Sequence, residues 1–117
     1  MSDKIKTGNE GEELAANFLK LKGFTVLERN YRHQKSEIDL IVSRGTWLVF
    51  IEVKTRTSTY YGYPEEFVDY HKKKMIFKGA LQYMYEKNWQ GNVRYDIVAI
   101  NIVNGRPRIH HIEDAFY

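Results

Sequence analysis

Two β-rich runs, residues 37–43 and 47–54, flank a short turn at Arg44-Gly45-Thr46, and the hairpin they imply is apolar on both faces. Alternation puts Ile41, Leu48 and Phe50 on one face, and Ile38, Leu40, Val42, Val49, Ile51 and Val53 on the other. A ribbon apolar on both faces is expected to be covered on both faces. Its few charges are oddly placed. Glu37 and Asp39 share a face with Ile41, and Glu52 and Lys54 share one with Leu48 and Phe50. With Ser43 opposite Leu48, Asp39 lies across from Glu52 and Glu37 across from Lys54. A register set by a two-residue loop leaves Asp39 diagonal to Glu52, and an odd loop without a bulge separates them.

Carboxylates in that arrangement have Cβ atoms about 4.5–5.5 Å apart. At an effective dielectric near 20 they repel by about 3 kcal/mol, more than the ~0.2–1 kcal/mol a good cross-strand pair contributes. Something positive has to stand between them. A divalent cation would serve, with Lys54 contributing from the same strand. Spacing alone leaves two readings open, a metal site and a structural ion cluster at one end of a buried sheet.

With 117 residues the chain is expected to be one domain, residues 8–117, behind a short tail at residues 1–7. It has no cysteine, which excludes disulfides and thiolate metal sites and suits a reducing cytoplasm. The start of the chain is polar and no apolar run approaches membrane-spanning length, so the expectation is a soluble, cytoplasmic protein with no membrane partner. A net charge of +3 and a pI near 9.0 lean weakly towards an anionic partner. Aromatic content is 15%, with core packing as the default place for any one ring.

Along the chain, residues 7–22 read as a helix, with Thr7 and Glu10 spaced as a capping box and Asn9 as a later cap. Leu14, Ala15, Phe18, Leu19 and Leu21 form its apolar stripe. Glu12 falls on the border of that stripe; taken alone, it reads as a charge favouring the helix dipole. Gly23 ends the helix, residues 24–31 read as a strand, and Arg29 to Lys35 as a basic connection. The polar, aromatic stretch after Lys54, residues 55–64, is a candidate substrate-contacting loop. Asp69 is the expected cap of a helix over residues 70–88 with Met75, Ile76, Ala80, Leu81, Tyr83 and Met84 on its apolar side. Residues 93–103 alternate as a strand with Asp96 its odd charge, and Asn104-Gly105 signals a hairpin to an edge strand at 108–112. The adjacent His110 and His111 face opposite ways on a strand and make a poor chelate. No Ser-His-Asp arrangement or His-Glu-x-x-His helix points to a hydrolase of those types.

Helix, strand, hairpin with Asp39 and Glu52-Val53-Lys54, helix, strand is an order of elements that resembles the PD-(D/E)XK nuclease superfamily. Gly8-Asn9-Glu10-Gly11-Glu12, Gly23-Phe24, Arg29-Asn30-Tyr31-Arg32, Ser36-Glu37-Ile38-Asp39-Leu40-Ile41, residues 49–56, Lys72 and Arg94-Tyr95-Asp96-Ile97-Val98-Ala99 together resemble the YraN-like, UPF0102-type family of small uncharacterised bacterial proteins. These are regarded as relatives of archaeal Holliday-junction resolvases. The likeness implies an α/β, restriction-endonuclease-like fold, a central mixed β-sheet flanked by helices in the order αβββαββ. It also implies a metal-dependent endonuclease acting on DNA, with branched DNA and a homodimer suggested by analogy. Asp39, Glu52 and the Val53 carbonyl would hold Mg²⁺ or Mn²⁺. Lys54 would be the catalytic lysine, and Glu12 the helix-borne acid beside the metal. Arg29, Arg32, Lys35, Arg56 and Lys72 would contact the backbone phosphates, and Glu37 would pair with Lys54 or support the site. Two positions depart from the family pattern. Ser36 stands where a glycine is usual, and Ile38 where a proline precedes the aspartate. The rival reading is a nucleic-acid-binding module that keeps the fold without catalysis.

Overall fold

A computed structural model describes residues 3–56 and 68–116. Helix α1 (Asp3–Leu21) is followed by strands β1 (Thr25–His33), β2 (Ser36–Arg44) and β3 (Trp47–Arg56), helix α2 (Tyr70–Lys87), and strands β4 (Asn92–Val103) and β5 (Arg106–Ile112). The strands form one sheet in sequence order. β3 and β4 run parallel, and every other neighbouring pair is antiparallel. A parallel pair requires a crossover connection, and α2 lies within it. The order αβββαββ around a mixed sheet is the expected one, compatible with a restriction-endonuclease-like fold. No helix among the described residues is long and apolar enough to cross a membrane.

Both sheet faces are covered. On one side Ala15, Ala16 and Leu19 of α1 pack with Leu40, Val42, Val49, Ile51, Val98 and Ile100. On the other, Ile76, Ala80 and Tyr83 of α2 pack with Ile38, Ile41, Leu48, Phe50 and Ile97. Much of the aromatic content is here: Tyr83 meets the rings of Tyr31 and Phe50 edge-on, and Phe50 stacks on Tyr95.

Several boundaries differ from the sequence reading. α1 begins at Asp3, so Thr7 and Asn9 lie within the helix and not at its cap. The strand expected over residues 24–31 runs on through Arg32 and His33, which were expected in the basic connection, leaving Gln34 and Lys35 as the turn. Cross-strand pairing with β2 overrides the local polarity that suggested a connection. Leu21 and Leu81 are exposed at 89% and 65%, outside the stripes assigned to them. Of the loop expected over residues 55–64, Thr55 and Arg56 belong to β3 instead, and the rest lies outside the described residues. Asp69 does cap α2, its carboxylate accepting the Lys72 N–H. Asn104 and Gly105 turn β4 into β5, both at positive φ.

One face-switch was not legible. Arg29 of β1 bonds Glu13 of α1, whereas Tyr31 packs on Tyr83 of α2. In β2, Leu40 faces α1 whereas Ile38 faces α2. Both strands therefore turn over at one level, where Asn30 adopts φ +51° between the pairs Arg29↔Leu40 and Tyr31↔Ile38. Asparagine tolerates this left-handed conformation better than most residues. Ile38 thus leaves the face that strict alternation assigned to it. Ser36, where the family pattern has glycine, is buried and donates its hydroxyl to the Met75 carbonyl, tying β2 to α2.

A second buried charge lies on β4. Asp96 is fully buried and accepts two bonds from Arg94, one from the Asp114 N–H and one at 2.7 Å from His111 Nε2. Although burial pushes its carboxyl up, the bonds from His111 and Arg94 outweigh that and hold it below the usual range. Lys22 meets the Nδ1 of His111 at 2.7 Å, so with the ammonium as donor the imidazole carries its proton on the Asp96 side.

Two stability predictions follow from these contacts. A Cβ on Gly11 would lie 1.9 Å from Thr55 Oγ1. Gly11→Ala should therefore lower the urea midpoint by an overpacking cost of about 1–3 kcal/mol, net of the ~1 kcal/mol that alanine gains in a helix. The double variant Gly11→Ala with Thr55→Ala should recover most of the loss. Asp96→Ala should cost about 3–5 kcal/mol in the same denaturation measurement, because it strands Arg94 in a partly buried site.

Candidate active site

The β2–β3 ladder has the register with Ser43 opposite Leu48; Arg44 pairs with Trp47 as well, so the turn is Gly45-Thr46 alone, and a two-residue turn centred there keeps that register instead of the diagonal one. Its recorded pairs run as far as Leu40↔Ile51. At the next level Asp39 does not simply face Glu52 across a regular ladder. Its carboxylate reaches over and accepts the Val53 backbone N–H at 2.8 Å. The turnover of β1 and β2 at this level re-aims the residue, as bulges beside functional sites do.

Glu52 follows Phe50 on the α2 face and is 4% exposed. Lys54, two residues on, approaches Glu52 Oε1 at 3.4 Å. Lys72, fixed in the first turn of α2 by the Asp69 cap, forms an ion pair with the same oxygen. From the other side, Gly11 lets α1 approach Thr55 closely, and Glu12 beside it lies within electrostatic reach of Asp39.

These neighbours shift one another. Burial, then the charges of Glu52 and Glu12, push Asp39 up to about 7, against the Val53 N–H and Lys72, which pull it down. Burial and the adjacent Lys72 hold Lys54 below the usual lysine range, against Glu52. Lys72 is itself penalised by burial, but its bonds to Glu52 and Lys54 leave it above its ordinary value. Of the two ammonium groups on one carboxylate, Lys54 is the one shifted down and Lys72 the one shifted up.

Asp39, Glu52, Lys54 and Lys72 therefore converge, with Glu12 at the margin. Other candidates are placed elsewhere. Glu37 pairs with Arg32 at 3.5 Å and not with Lys54. Arg29 is held by Glu13 at 2.6 Å. Lys35 shares with Glu37, Asp69, His71 and Lys72 a cavity of about 300 Å³. Arg56 ends β3, two residues beyond Lys54. Lys72, expected to contact phosphate, forms an ion pair with Glu52 in the carboxylate cluster. The family resemblance singles out Lys72, and it sits in the first turn behind the Asp69 cap, but its pairing with Glu52 required the tertiary fold.

The donor set suits a hard cation. Asp39, Glu52, Glu12 and a backbone carbonyl offer only oxygen, which favours Mg²⁺ or Mn²⁺ over zinc. Among the described residues no three His, Asp or Glu side chains are arranged to enclose an ion. Glu12 thus acts on Asp39 through its field and does not complete a ligand triad with it. One or two carboxylates with the remaining positions filled by water is the ordinary habit of Mg²⁺, and Asp39, raised first by burial and then by the Glu52 and Glu12 charges, sits where a cation would offset part of that cost.

A native carboxyl that titrates near 7 binds its proton more tightly than the unfolded chain does. Ionising it therefore removes stability as pH rises from about 4 to about 7, and the loss is complete above that. Asp39→Asn keeps an acceptor for Val53 and removes the charge. In metal-free buffer it should be more stable than wild type by about 1 kcal/mol or more at pH 8, and the advantage should shrink to nothing by pH 4. Denaturant midpoints across that range provide the measurement.

The sequence profile of a family described as an uncharacterised protein family, UPF0102, matches residues 11–100. A UPF0102 protein of Christiangramia forsetii is 40% identical over 117 residues, covering 100% of this chain and 98% of its own length. One from Rhodococcus opacus is 42% identical over 119 residues, covering 99% and 100%. Another, from Clostridium kluyveri, is 45% identical over 112 residues, covering 93% and 92%. Profile and full-length likeness agree over the helix, the hairpin and the parallel strand that build the carboxylate cluster, and the chain belongs to the UPF0102 family.

Proposed function

We propose that the chain is a Mg²⁺- or Mn²⁺-dependent endonuclease that hydrolyses phosphodiester bonds of DNA, with branched or structured DNA as its substrate class. The observation that carries this reading is the buried Glu52 held by two lysines beside an Asp39 whose carboxyl is pushed up to about 7. A purely structural cluster gains nothing from two mutually repelling carboxylates, whereas phosphoryl chemistry uses both signs of charge at one point.

Asp39, Glu52 and the Val53 carbonyl would hold the ion, with Glu12 alongside. Bound there, it would supply Lewis-acid charge to a phosphodiester oxygen and acidify a water. The chain's own groups do the rest. Lys54 Nζ, drawn below the usual lysine range, orients the attacking water and accepts its proton. Lys72 Nζ steadies Glu52 and offsets charge gathering on the phosphate. Arg32, Lys35 and Arg56 contact neighbouring phosphates without reading bases. Arg29 does so only by leaving Glu13. Two copies acting together would cut paired strands, as in a cytoplasmic junction-processing enzyme.

Linear duplex, single-stranded and four-way-junction DNA incubated with Mg²⁺ or Mn²⁺ test this. Wild type should cleave, and Lys54→Ala and Glu52→Gln should each be slower by about 10²–10⁴-fold. Mn²⁺ at a hundred times its dissociation constant should stabilise wild type by about 2.7 kcal/mol, and Asp39→Asn should lose most of that gain. Equal cleavage by all proteins would remove the site. DNA binding without cleavage or metal dependence would assign a binding module instead.

A further inference from the structure

The first turns of α2 carry a second feature, on the side away from Glu52. Tyr70, at the start of the helix, is 80% exposed. With Lys73, Lys74 and Phe77 it lines an open cavity of about 430 Å³. Phe77 is a fixed wall, its ring packed edge-on against Tyr95 at 4.8 Å and beside Phe116 at 6.0 Å. The helix has no acidic residue in its first turn, and the preceding Asp69 carboxylate is taken up by the Lys72 N–H.

We propose that Tyr70, Lys73, Lys74 and Phe77 form a stacking site for an unpaired nucleotide of the strand being cut, deepening the endonuclease reading and resting on it. Aromatic faces beside cations are how proteins hold single strands without reading sequence. Charge selects this occupant over a second copy of the chain, since a symmetric contact through this face would set lysines against lysines. Lys72 and Tyr70 are two residues apart on one helix but project to opposite sides, so the two sites lie about a helix diameter, ~10–12 Å, apart. A strand passing around the helix covers about half its circumference, ~16–19 Å, so at ~3.4 Å or more per nucleotide the stacked base stands up to about five nucleotides from the phosphodiester at Glu52. A base paired within a duplex cannot reach a tyrosine face, so the site favours DNA with unpaired nucleotides next to the cut.

The test uses the full chain in EDTA, with labelled single-stranded and duplex oligonucleotides read by anisotropy and a 2-aminopurine strand read by quenching. Tyr70→Ala should weaken single-strand binding about tenfold and abolish the quenching, while duplex binding changes less than twofold; Tyr70→Phe should behave as wild type. Lys73→Ala with Lys74→Ala should weaken both DNAs and flatten the dependence of log K on log salt by about 1–2. Single-strand binding unchanged in Tyr70→Ala, or lost equally in Tyr70→Phe, overturns the stacking site. Wild type that cleaves DNA while Tyr70→Ala binds single strands normally sinks this inference alone. Wild type that neither binds nor cleaves DNA sinks the endonuclease reading with it. A dimer in sedimentation velocity that Tyr70→Ala dissociates gives the face to a second copy and also overturns the inference.

Discussion

The hydrogen bond from the Val53 N–H to the Asp39 carboxylate joins the two halves of the site. In a regular ladder that N–H would be a candidate for strand pairing, and Asp39 would project from the sheet like any other strand residue. Instead β1 and β2 turn over together at Asn30 and Asp39, and the carboxylate reaches across to β3. This bond holds Asp39 beside Glu52 even though their charges repel. It also ties the acidic residue of one strand to the Glu52-Val53-Lys54 run of the next, so neither can move without the other.

The packing around that bond is asymmetric in a useful way. α1 and α2 cover opposite faces with conventional apolar cores, and each core ends where the charges begin. Gly11 allows α1 to approach β3 at Thr55, bringing Glu12 towards Asp39 from one side. The Asp69 cap fixes the first turn of α2 and brings Lys72 onto Glu52 from the other. Partial burial then amplifies every charge in the cluster, raising Asp39 and lowering Lys54. A few kcal/mol of core packing on each side thus supports an arrangement that is locally unfavourable, a common relation between a scaffold and a site.

Asp96 shows the opposite use of a buried carboxylate. Asp96 too is buried, yet its pKa is lowered, because His111, Arg94 and the Asp114 N–H all donate to it. Burial alone does not decide the state of an acid; the number of donors that burial brings with it does. The contrast separates a satisfied structural ion network on β4 from an incompletely compensated one on the neighbouring β2 and β3.

Periodicity and turn chemistry made much of this legible from the chain alone. The order αβββαββ, the covering of both sheet faces, the Asn104-Gly105 hairpin, the Asp69 cap and the sharing of one face by Glu52 and Lys54 all follow from local pattern, because strand alternation and capping act over a few residues; the reach of Asp39 to Val53 does not. The tertiary structure decided what depends on distant partners. Lys72 joined Glu52, Glu37 turned to Arg32, Arg29 to Glu13, and Ile38 changed faces. His111, a poor chelator by spacing, became the partner of Asp96 through the pairing of β4 with β5. Local rules set where a residue sits on its own strand or helix; which charge it meets is set by how the strands twist and how closely the helices approach.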